Sequence, residues 1–400
     1  MKKLAILGAS YLQVPLINKA IEMGLETYVF AWEDGAIGKD LGCHYYPIST
    51  TDKEAILLKC KEIGIHGIVT IGTDIAMPTI SYISTVLNLN GNSLRATLNS
   101  TDKFEMRKVL ASKNIPCPRF SFYEEAIFKN NEGYKFPLII KPTNRSGSRG
   151  VTRVNSVDEA NHAIKKALGI SINRRVIVEE FIQTKMEFSI EFISYKGNHH
   201  PLAITDKITT GAPYFCELEH HQPSKIKKKL KEKIFQLTID SLNAIGIENG
   251  ASHTEIILDT CDNLYIVELA GRMGGDFIGS HLVQLSTGFD FLKATIDVAL
   301  NNFDYNKYLG ISNKPFSGVY FTKARPGKVV SIRNNAINSP SIVYSEPLCK
   351  VGDVFDGLVD GSDKRSGFII YSSDKSKPID NPELVIEIIT EKLNTDYNYV

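Results

Sequence analysis

The chain of 400 residues is 43% hydrophobic and 23% charged, an ordinary composition for a folded protein of more than one domain. Its formal net charge of +1 excludes binding of nucleic acid or anionic membranes through bulk charge. The six cysteines form no CxxC pair, which excludes zinc knuckles and a disulfide framework. Apolar runs fall short of the ~18 residues of a membrane span, and the run that follows Lys3 is too short for a signal peptide. We therefore expect a cytoplasmic protein with neither a membrane nor a nucleic-acid partner.

The first hundred residues alternate between strand and helix patterns. Apolar runs and helical periodicity predict strands over 3–7, 27–31 and 67–70, and helices over 14–23, 54–63 and 76–87. This alternation is typical of βαβ units around a parallel sheet. The first turn, Gly8-Ala9-Ser10, lacks the second and third glycines of a dinucleotide-binding GxGxxG motif. The pattern favours a Rossmann-like supporting domain over a nicotinamide site.

The rest of the chain predicts a mixed α/β region followed by a strand-rich tail. Helices are predicted over 101–114, 157–167, 225–244 and 382–393, and strands over 136–141, 176–180, 188–194, 256–258, 264–269, 318–322 and 328–332.

A loop rich in hydrogen-bond donors follows the predicted strand that ends in Lys141-Pro142. Its sequence is Asn144-Arg145-Ser146-Gly147-Ser148-Arg149-Gly150. Backbone N–H groups of such a loop can surround phosphate oxygens, and a lysine at a strand end can point at them. By itself, the same composition is also typical of an exposed turn.

Two further segments contain carboxylates at suggestive positions. The strand around Glu179-Glu180-Phe181-Ile182 can offer its backbone to a flat base, and Glu187 can accept ribose hydroxyls; an ordinary strand with solvated glutamates is the alternative.

Glu255 and Glu268 lie on neighbouring predicted strands, so their carboxylates can face each other. Mg²⁺ between them would remove their repulsion, since it prefers a few carboxylates together with substrate phosphates. Arg272 follows and can hold a carboxylate or phosphoryl group in its planar fork.

The order of these features resembles the ATP-grasp superfamily over about residues 99–305. The resemblance implies an α/β (α+β) ATP-grasp fold with an N-terminal Rossmann-like domain at 1–98 and an ATP-grasp domain at 99–310. The latter would divide into a small lid subdomain at about 115–185 and a larger one at 186–310, and a β-rich domain would follow at 311–400.

The same resemblance implies a cofactor site for ATP with Mg²⁺, or with Mn²⁺ in its place. Phosphate contacts would come from Lys103, Lys141 and the lid residues Ser146, Gly147, Ser148 and Gly150. Adenine and ribose contacts would come from Glu179, Glu180, Phe181, Ile182 and Glu187. Glu255 and Glu268 would hold the metal. Many members have an asparagine where this sequence has Ala270, which leaves room for another carboxylate.

The segment Glu217-Leu218-Glu219-His220-His221-Gln222-Pro223 is similar to one found in L-amino-acid ligases, the dipeptide-forming branch. That similarity implies that Glu217 binds the metal or the substrate amine, that His220 positions substrate, and that Arg272 steadies the acyl-phosphate oxygens. A polar surface loop before a helix is the alternative for this segment.

We therefore expect an ADP-forming ligase that joins a small carboxylate, such as an amino acid, to an amine through an acyl phosphate. Lys141, His220 and Arg272 would be its catalytic residues. The alternatives are an enzyme similar to glycinamide ribonucleotide synthetase, one similar to carbamoyl-phosphate synthase or a carboxylase, and a non-catalytic ATP-binding regulator. The sequence leaves a homodimer open.

Overall fold

The computed structural model describes residues 1–129, 133–336 and 339–392. Its α-helices are α1 (Val14–Glu22), α2 (Lys53–Ile63), α3 (Met77–Val86), α4 (Leu94–Thr101), α5 (Lys103–Ser112), α6 (Val157–Ile170), α7 (Lys228–Ile245), α8 (Val283–Thr287), α9 (Phe291–Ala299) and α10 (Pro382–Val385). Its strands are β1 (Lys3–Leu7), β2 (Glu26–Phe30), β3 (His44–Tyr46), β4 (Gly67–Val69), β5 (Phe120–Tyr123), β6 (Leu138–Pro142), β7 (Thr152–Val154), β8 (Val176–Glu180), β9 (Thr184–Tyr195), β10 (Asn198–Thr209), β11 (Glu217–Gln222), β12 (Gly250–Asp259), β13 (Leu264–Ala270), β14 (Phe316–Thr322), β15 (Gly327–Asn334), β16 (Ile342–Pro347), β17 (Val354–Phe355), β18 (Gly367–Ser373) and β19 (Ile386–Glu391).

The chain divides into two compact units, each built from segments that are distant in sequence. The first unit comprises Met1–Phe122, Glu179–Asp206 and Pro223–Asn313. The second comprises the described residues of Tyr123–Val178, Lys207–Gln222 and Lys314–Val400. The three domains expected from the sequence follow chain order instead, and that division stays a prediction.

A parallel sheet forms the N-terminal part of the first unit, as the alternating pattern predicted. Its strand order is β3-β2-β1-β4, with Leu4 of β1 paired to Thr27 on one side and to Gly67 on the other. Residues 4–7 of β1 are fully buried, as expected for a parallel strand covered on both faces. Asp52 caps α2 by accepting a hydrogen bond from the Ala55 N–H.

An antiparallel arrangement of β13, β12 and β9 forms the second part of the first unit. In its register, His253 of β12 lies opposite Ala270 of β13 and opposite Glu191 of β9. Apolar residues of α5 and α7 pack with those of the strands in one buried core. The polar residues His253, Glu255, Glu191 and Glu268 share a face of these strands, since residues two apart on a strand point the same way.

The second unit has two sheet regions. In one, β6 pairs antiparallel with β7, and α6 packs against them around a core that includes Leu138, Ile140 and Ile164. In the other, β14 lies between β11 and β18, and β18 also pairs with β16. A smaller sheet joins β15 to β17 and β19.

The helix predicted over 382–393 is wrong for most of its length. Only Pro382–Val385 is helical, and the chain then continues as β19, antiparallel to β15. Leu393 lies outside the described residues. Three isoleucines and a threonine occupy four of the five positions from 386 to 390, and β-branched side chains of this kind favour a pleated surface over a helix.

Among the described residues, no helix is both long enough and apolar enough to cross a membrane.

Candidate active site

The first unit brings a predicted phosphate lysine together with a predicted metal carboxylate. Lys103 is the first residue of α5, whose N-terminus is capped by the Asp102 carboxylate accepting from Phe104 N–H and Glu105 N–H. The Lys103 side chain is buried, and its Nζ lies 3.1 Å from Glu268 Oε1. A buried ammonium is therefore held beside the end of β13 by a carboxylate that still has partial solvent access.

The two predicted metal carboxylates face each other, as the sequence predicted. Glu255 of β12 lies opposite Glu268 of β13 in the antiparallel register. Behind Glu255 is His253, whose Nε2 is 3.5 Å from Glu255 Oε1. Its Nδ1 is 2.5 Å from Oε1 of Glu191, a fully buried residue. Burial by itself lowers the pKa of His253, but the Glu191 carboxylate outweighs it and raises that pKa to about 9.

Two carboxylates match the protein ligands of a magnesium ion that is also bound by substrate phosphates. They are too few for a metal site whose ligands all come from the protein. The side chains of Glu255 and Glu268 are 22% and 20% exposed, so both can reach a bound ligand. In the described parts of the chain, no group of three or more His, Cys, Asp or Glu side chains is placed to hold a metal. Mg²⁺ is usually bound by one or two carboxylates together with water and substrate phosphates, which is the donor set available here.

Arg272 forms a bidentate ion pair with a residue that the sequence analysis missed. Its Nε donates to Asp74 Oδ1 at 2.8 Å, and its Nη2 donates to Asp74 Oδ2 at 2.9 Å. Burial tends to raise the pKa of Asp74, but the Arg272 guanidinium holds it below its ordinary value. Asp74 follows the carboxyl end of β4, where parallel sheets commonly bind ligands, and that position was the available signal.

The second unit contains Lys141 and the predicted lid loop. Lys141 is buried on β6. Gly147 has a φ of 68°, and a Cβ there would lie 2.5 Å from Ser362 Oγ, so this position favours glycine. Ser148 Oγ donates to the carboxylate of Glu217, with both oxygens at 3.2 Å. The loop is therefore tied to β11 and to the segment around Ser362.

The segment that contains Glu217 and His220 is a buried strand, so the alternative of a polar surface loop is wrong. This strand, β11, pairs with β14, with His220 opposite Val319. Glu217 Oε1 also lies 3.2 Å from Lys207 Nζ, and both side chains are at most 10% exposed. Residues three apart on a strand point to opposite faces, so the His220 side chain does not lie beside Glu217. It packs edge-on against Phe321. Metal or amine binding by Glu217 and substrate binding by His220 stay predictions.

The residues predicted to surround adenine and ribose lie in β8, β9 and the connection between them. The Glu179 carboxylate is buried and accepts from Arg107 Nε at 2.7 Å, so this side chain already has a cationic partner. Glu180 is more exposed and lies 3.5 Å from Arg119. Phe181 and Ile182 follow β8 and are half-buried. Glu187 lies on β9 opposite Ile257. Their contacts with a nucleotide stay predictions.

Comparison with known proteins gives one family match and several relatives. Residues 134–280 match a family model described as an ATP-grasp domain. Alanine–anticapsin ligase of Bacillus subtilis is 29% identical over 236 residues, which cover 53% of this chain and 49% of that protein. The chain thus spans about half the length of this curated relative.

Solved structures match over nearly the whole chain. An L-amino acid ligase from Bacillus licheniformis aligns with a TM-score of 0.82 and 22% identity, covering 98% of this chain and 99% of that one. A phosphoribosylglycinamide synthetase from Anaerococcus prevotii aligns with a TM-score of 0.76 and 21% identity, covering 98% and 100%. At these identities the likeness concerns the fold, and it confirms the α/β ATP-grasp architecture. The chain therefore has the ATP-grasp fold, and its residues 134–280 match the ATP-grasp domain family, which in general implies ATP and Mg²⁺.

Proposed function

We propose that the protein is an ATP-dependent carboxylate–amine ligase that forms an amide bond through an acyl phosphate and releases ADP and phosphate. The observation that supports this most directly is the cluster in the first unit. There a buried lysine, two facing carboxylates and a fixed arginine lie together within an ATP-grasp fold. Ligation by this route needs charge neutralisation and orientation but no protein nucleophile.

In the first half-reaction, a carboxylate oxygen of the substrate attacks the γ-phosphorus of ATP, and the bond to the β–γ bridging oxygen breaks to release ADP. Lys103 neutralises charge on the transferred phosphoryl group, and Glu268 keeps the ammonium in place from 3.1 Å. Glu255 and Glu268 would hold Mg²⁺, which supplies further charge neutralisation at the phosphates.

Phosphate binding in the second unit is proposed for Lys141 and for residues Ser146 to Gly150. The loop has glycines with positive φ at Gly147 and Gly150, so its backbone can follow a phosphate closely. Closure of this loop would exclude water, because an acyl phosphate exposed to water hydrolyses. Ser148 can exchange its bonds to Glu217 for bonds to a ligand.

In the second half-reaction, the amine attacks the carbonyl carbon of the acyl phosphate, and inorganic phosphate leaves. Arg272 is proposed to stabilise the negative charge that develops on the carbonyl oxygen. We propose amino acids as the substrate class, because alanine–anticapsin ligase and the L-amino acid ligase are named for such reactions. His220 would position the substrate, and Glu217 would bind its amine or help to hold the metal.

The test is release of ADP and phosphate in the presence of Mg²⁺, with the common amino acids supplied singly and in pairs and the products weighed by mass spectrometry. Release that requires a pair, together with a new dipeptide mass, is the expected result. Release that requires phosphoribosylamine and glycine would replace this proposal with the glycinamide ribonucleotide synthetase alternative. Binding of ATP without ADP formation under any of these conditions would favour the non-catalytic regulator.

Replacing Arg272 with Lys is expected to lower kcat by ~10²-fold, the usual effect of losing one donor to a developing oxyanion. A lysine ammonium cannot form both bonds that Arg272 makes to Asp74. Steady-state rates of ADP release measure the change, and KM for ATP should stay near the wild-type value. Arg333→Lys, at an exposed ion pair of the second unit, is the matched control. An Arg272→Lys enzyme as fast as this control would contradict the assignment.

A further inference from the structure

Arg272 is held in a fixed orientation by the loop that follows β4. Two of its N–H groups, on Nε and Nη2, donate to the two oxygens of Asp74 at 2.8 and 2.9 Å. A third, on Nη1, donates to the carbonyl oxygen of Met273 at 3.1 Å. The Arg272 side chain is 7% exposed and that of Asp74 is 18% exposed, so solvent screens this pair only weakly.

The loop that contains Asp74 is itself tied at several points. The Gly72 N–H donates to the same Met273 carbonyl at 3.3 Å. Gln13 Nε2 donates to Ile71 O at 2.7 Å, and Thr70 Oγ1 donates to Leu7 O. The loop that contains Asp74 is therefore fixed to the parallel sheet. The two hydrogen bonds to Asp74 in turn fix the orientation of the Arg272 guanidinium.

These contacts leave a specific part of the guanidinium available. A guanidinium has five N–H bonds, and three of those on Arg272 donate to protein acceptors in the described parts of the chain. Among the described residues, one N–H on each terminal nitrogen has no protein acceptor. Two such N–H groups in one plane match the spacing of two oxygens on a carboxylate or phosphoryl group.

We propose that Asp74 is a positioning residue for the ligation reaction, which orients the free N–H pair of Arg272 toward the oxygens of the acyl phosphate. The inference rests on the proposed function and extends it. Asp74 would touch neither substrate nor reacting atoms and would act through Arg272 alone. It also assigns a task to the N-terminal sheet, whose first turn lacks the glycines of a dinucleotide site.

The first test compares Asp74→Asn with Asp290→Asn in the full-length protein. Asp290 pairs with Lys19 at 3.3 Å and is 22% exposed, close to the exposure of Asp74, and asparagine can still cap α9 there. Asp74→Asn is expected to lower kcat about 10- to 100-fold, as small misplacements of a catalytic group do. KM for ATP and the melting temperature should stay close to those of Asp290→Asn. Wild-type kcat in Asp74→Asn would overturn the proposal.

The second test needs no turnover, so it separates failure of this inference from failure of the proposed function. The Nε–H resonance of Arg272 is identified in arginine-labelled protein as the signal missing from Arg272→Lys. Acetyl phosphate, added with MgADP, is expected to shift that signal in the wild type and in Asp290→Asn, and not in Asp74→Asn. An unchanged signal in the wild type, or the same shift in Asp74→Asn, would overturn the proposal. Absence of ADP release in the wild type would instead reject the proposed function.

Discussion

Glu268→Gln is expected to abolish turnover, with a loss of ~10³-fold or more in kcat. Glu268 is proposed to hold Mg²⁺, and losing that ion would remove several kcal/mol of charge stabilisation from the transition state. Each 1.36 kcal/mol is tenfold in rate. The neutral amide would also remove the negative charge that lies 3.1 Å from the buried Lys103 ammonium. ADP release at saturating ATP and Mg²⁺ measures the effect.

Glu232→Gln provides the matched control for this substitution. Glu232 lies on α7 in an exposed pair with Lys228 at 3.9 Å, so the same chemical change there should leave turnover unaltered. The melting temperature of both variants shows whether they fold. A folded Glu268→Gln enzyme with wild-type kcat would reject the metal assignment.

Gly274→Ala is expected to destabilise the protein by about 3 kcal/mol, since overpacking and disruption of a buried ion pair both contribute. A Cβ at Gly274 would lie 2.5 Å from Glu191 Oε1 and 2.7 Å from His253 Nδ1. Glu191 is fully buried, and its Oε2 also accepts from the Gly274 N–H at 3.1 Å. The carboxylate therefore cannot move aside without breaking its bonds. Urea unfolding measures the change, and we expect Gly274→Ala to unfold at a lower midpoint concentration than the wild type.

The neighbouring glycine is the control for this prediction. A Cβ at Gly275 would find its nearest neighbour, the Gly72 carbonyl oxygen, 4.0 Å away. Gly275→Ala should therefore unfold at nearly the wild-type urea concentration. Equal midpoints for Gly274→Ala and Gly275→Ala would show that the Glu191–His253 pair does not constrain this turn.

The placement of several candidate site residues was predictable, because they stand at the ends of helices and strands that the local sequence marks. Asp102 is an acidic N-cap and marks the start of α5, so Lys103 was predicted to be at the beginning of that helix. The short turn between β12 and β13 places Glu255 opposite Glu268, since antiparallel strands joined by a tight turn have a defined register. The glycines and serines that follow Lys141 predicted a loop at that position.

The roles of other residues depend on partners far away in sequence. Asp74 and Glu191 were missed because each is one acidic residue in an unremarkable context, and its partner is 198 or 62 positions away. Likewise β11 has a polar sequence, and it forms a strand through pairing with neighbouring strands such as β14 and through burial of its side chains.

Sequence alone predicted the alternation of strands and helices and the facing of Glu255 and Glu268, and the order of its motifs resembles the ATP-grasp superfamily, whose fold the structure has. The strand and helix pattern follows from local hydrophobic periodicity and capping, which a single segment contains in full. Long-range packing set which charged side chains meet. It paired Arg272 with Asp74, His253 with Glu191, and Glu217 with Lys207 and Ser148. Residues 386–391, expected to be helical, form strand β19 paired with β15. A strand's backbone hydrogen bonds go to another strand, and the local sequence does not show which strand that is.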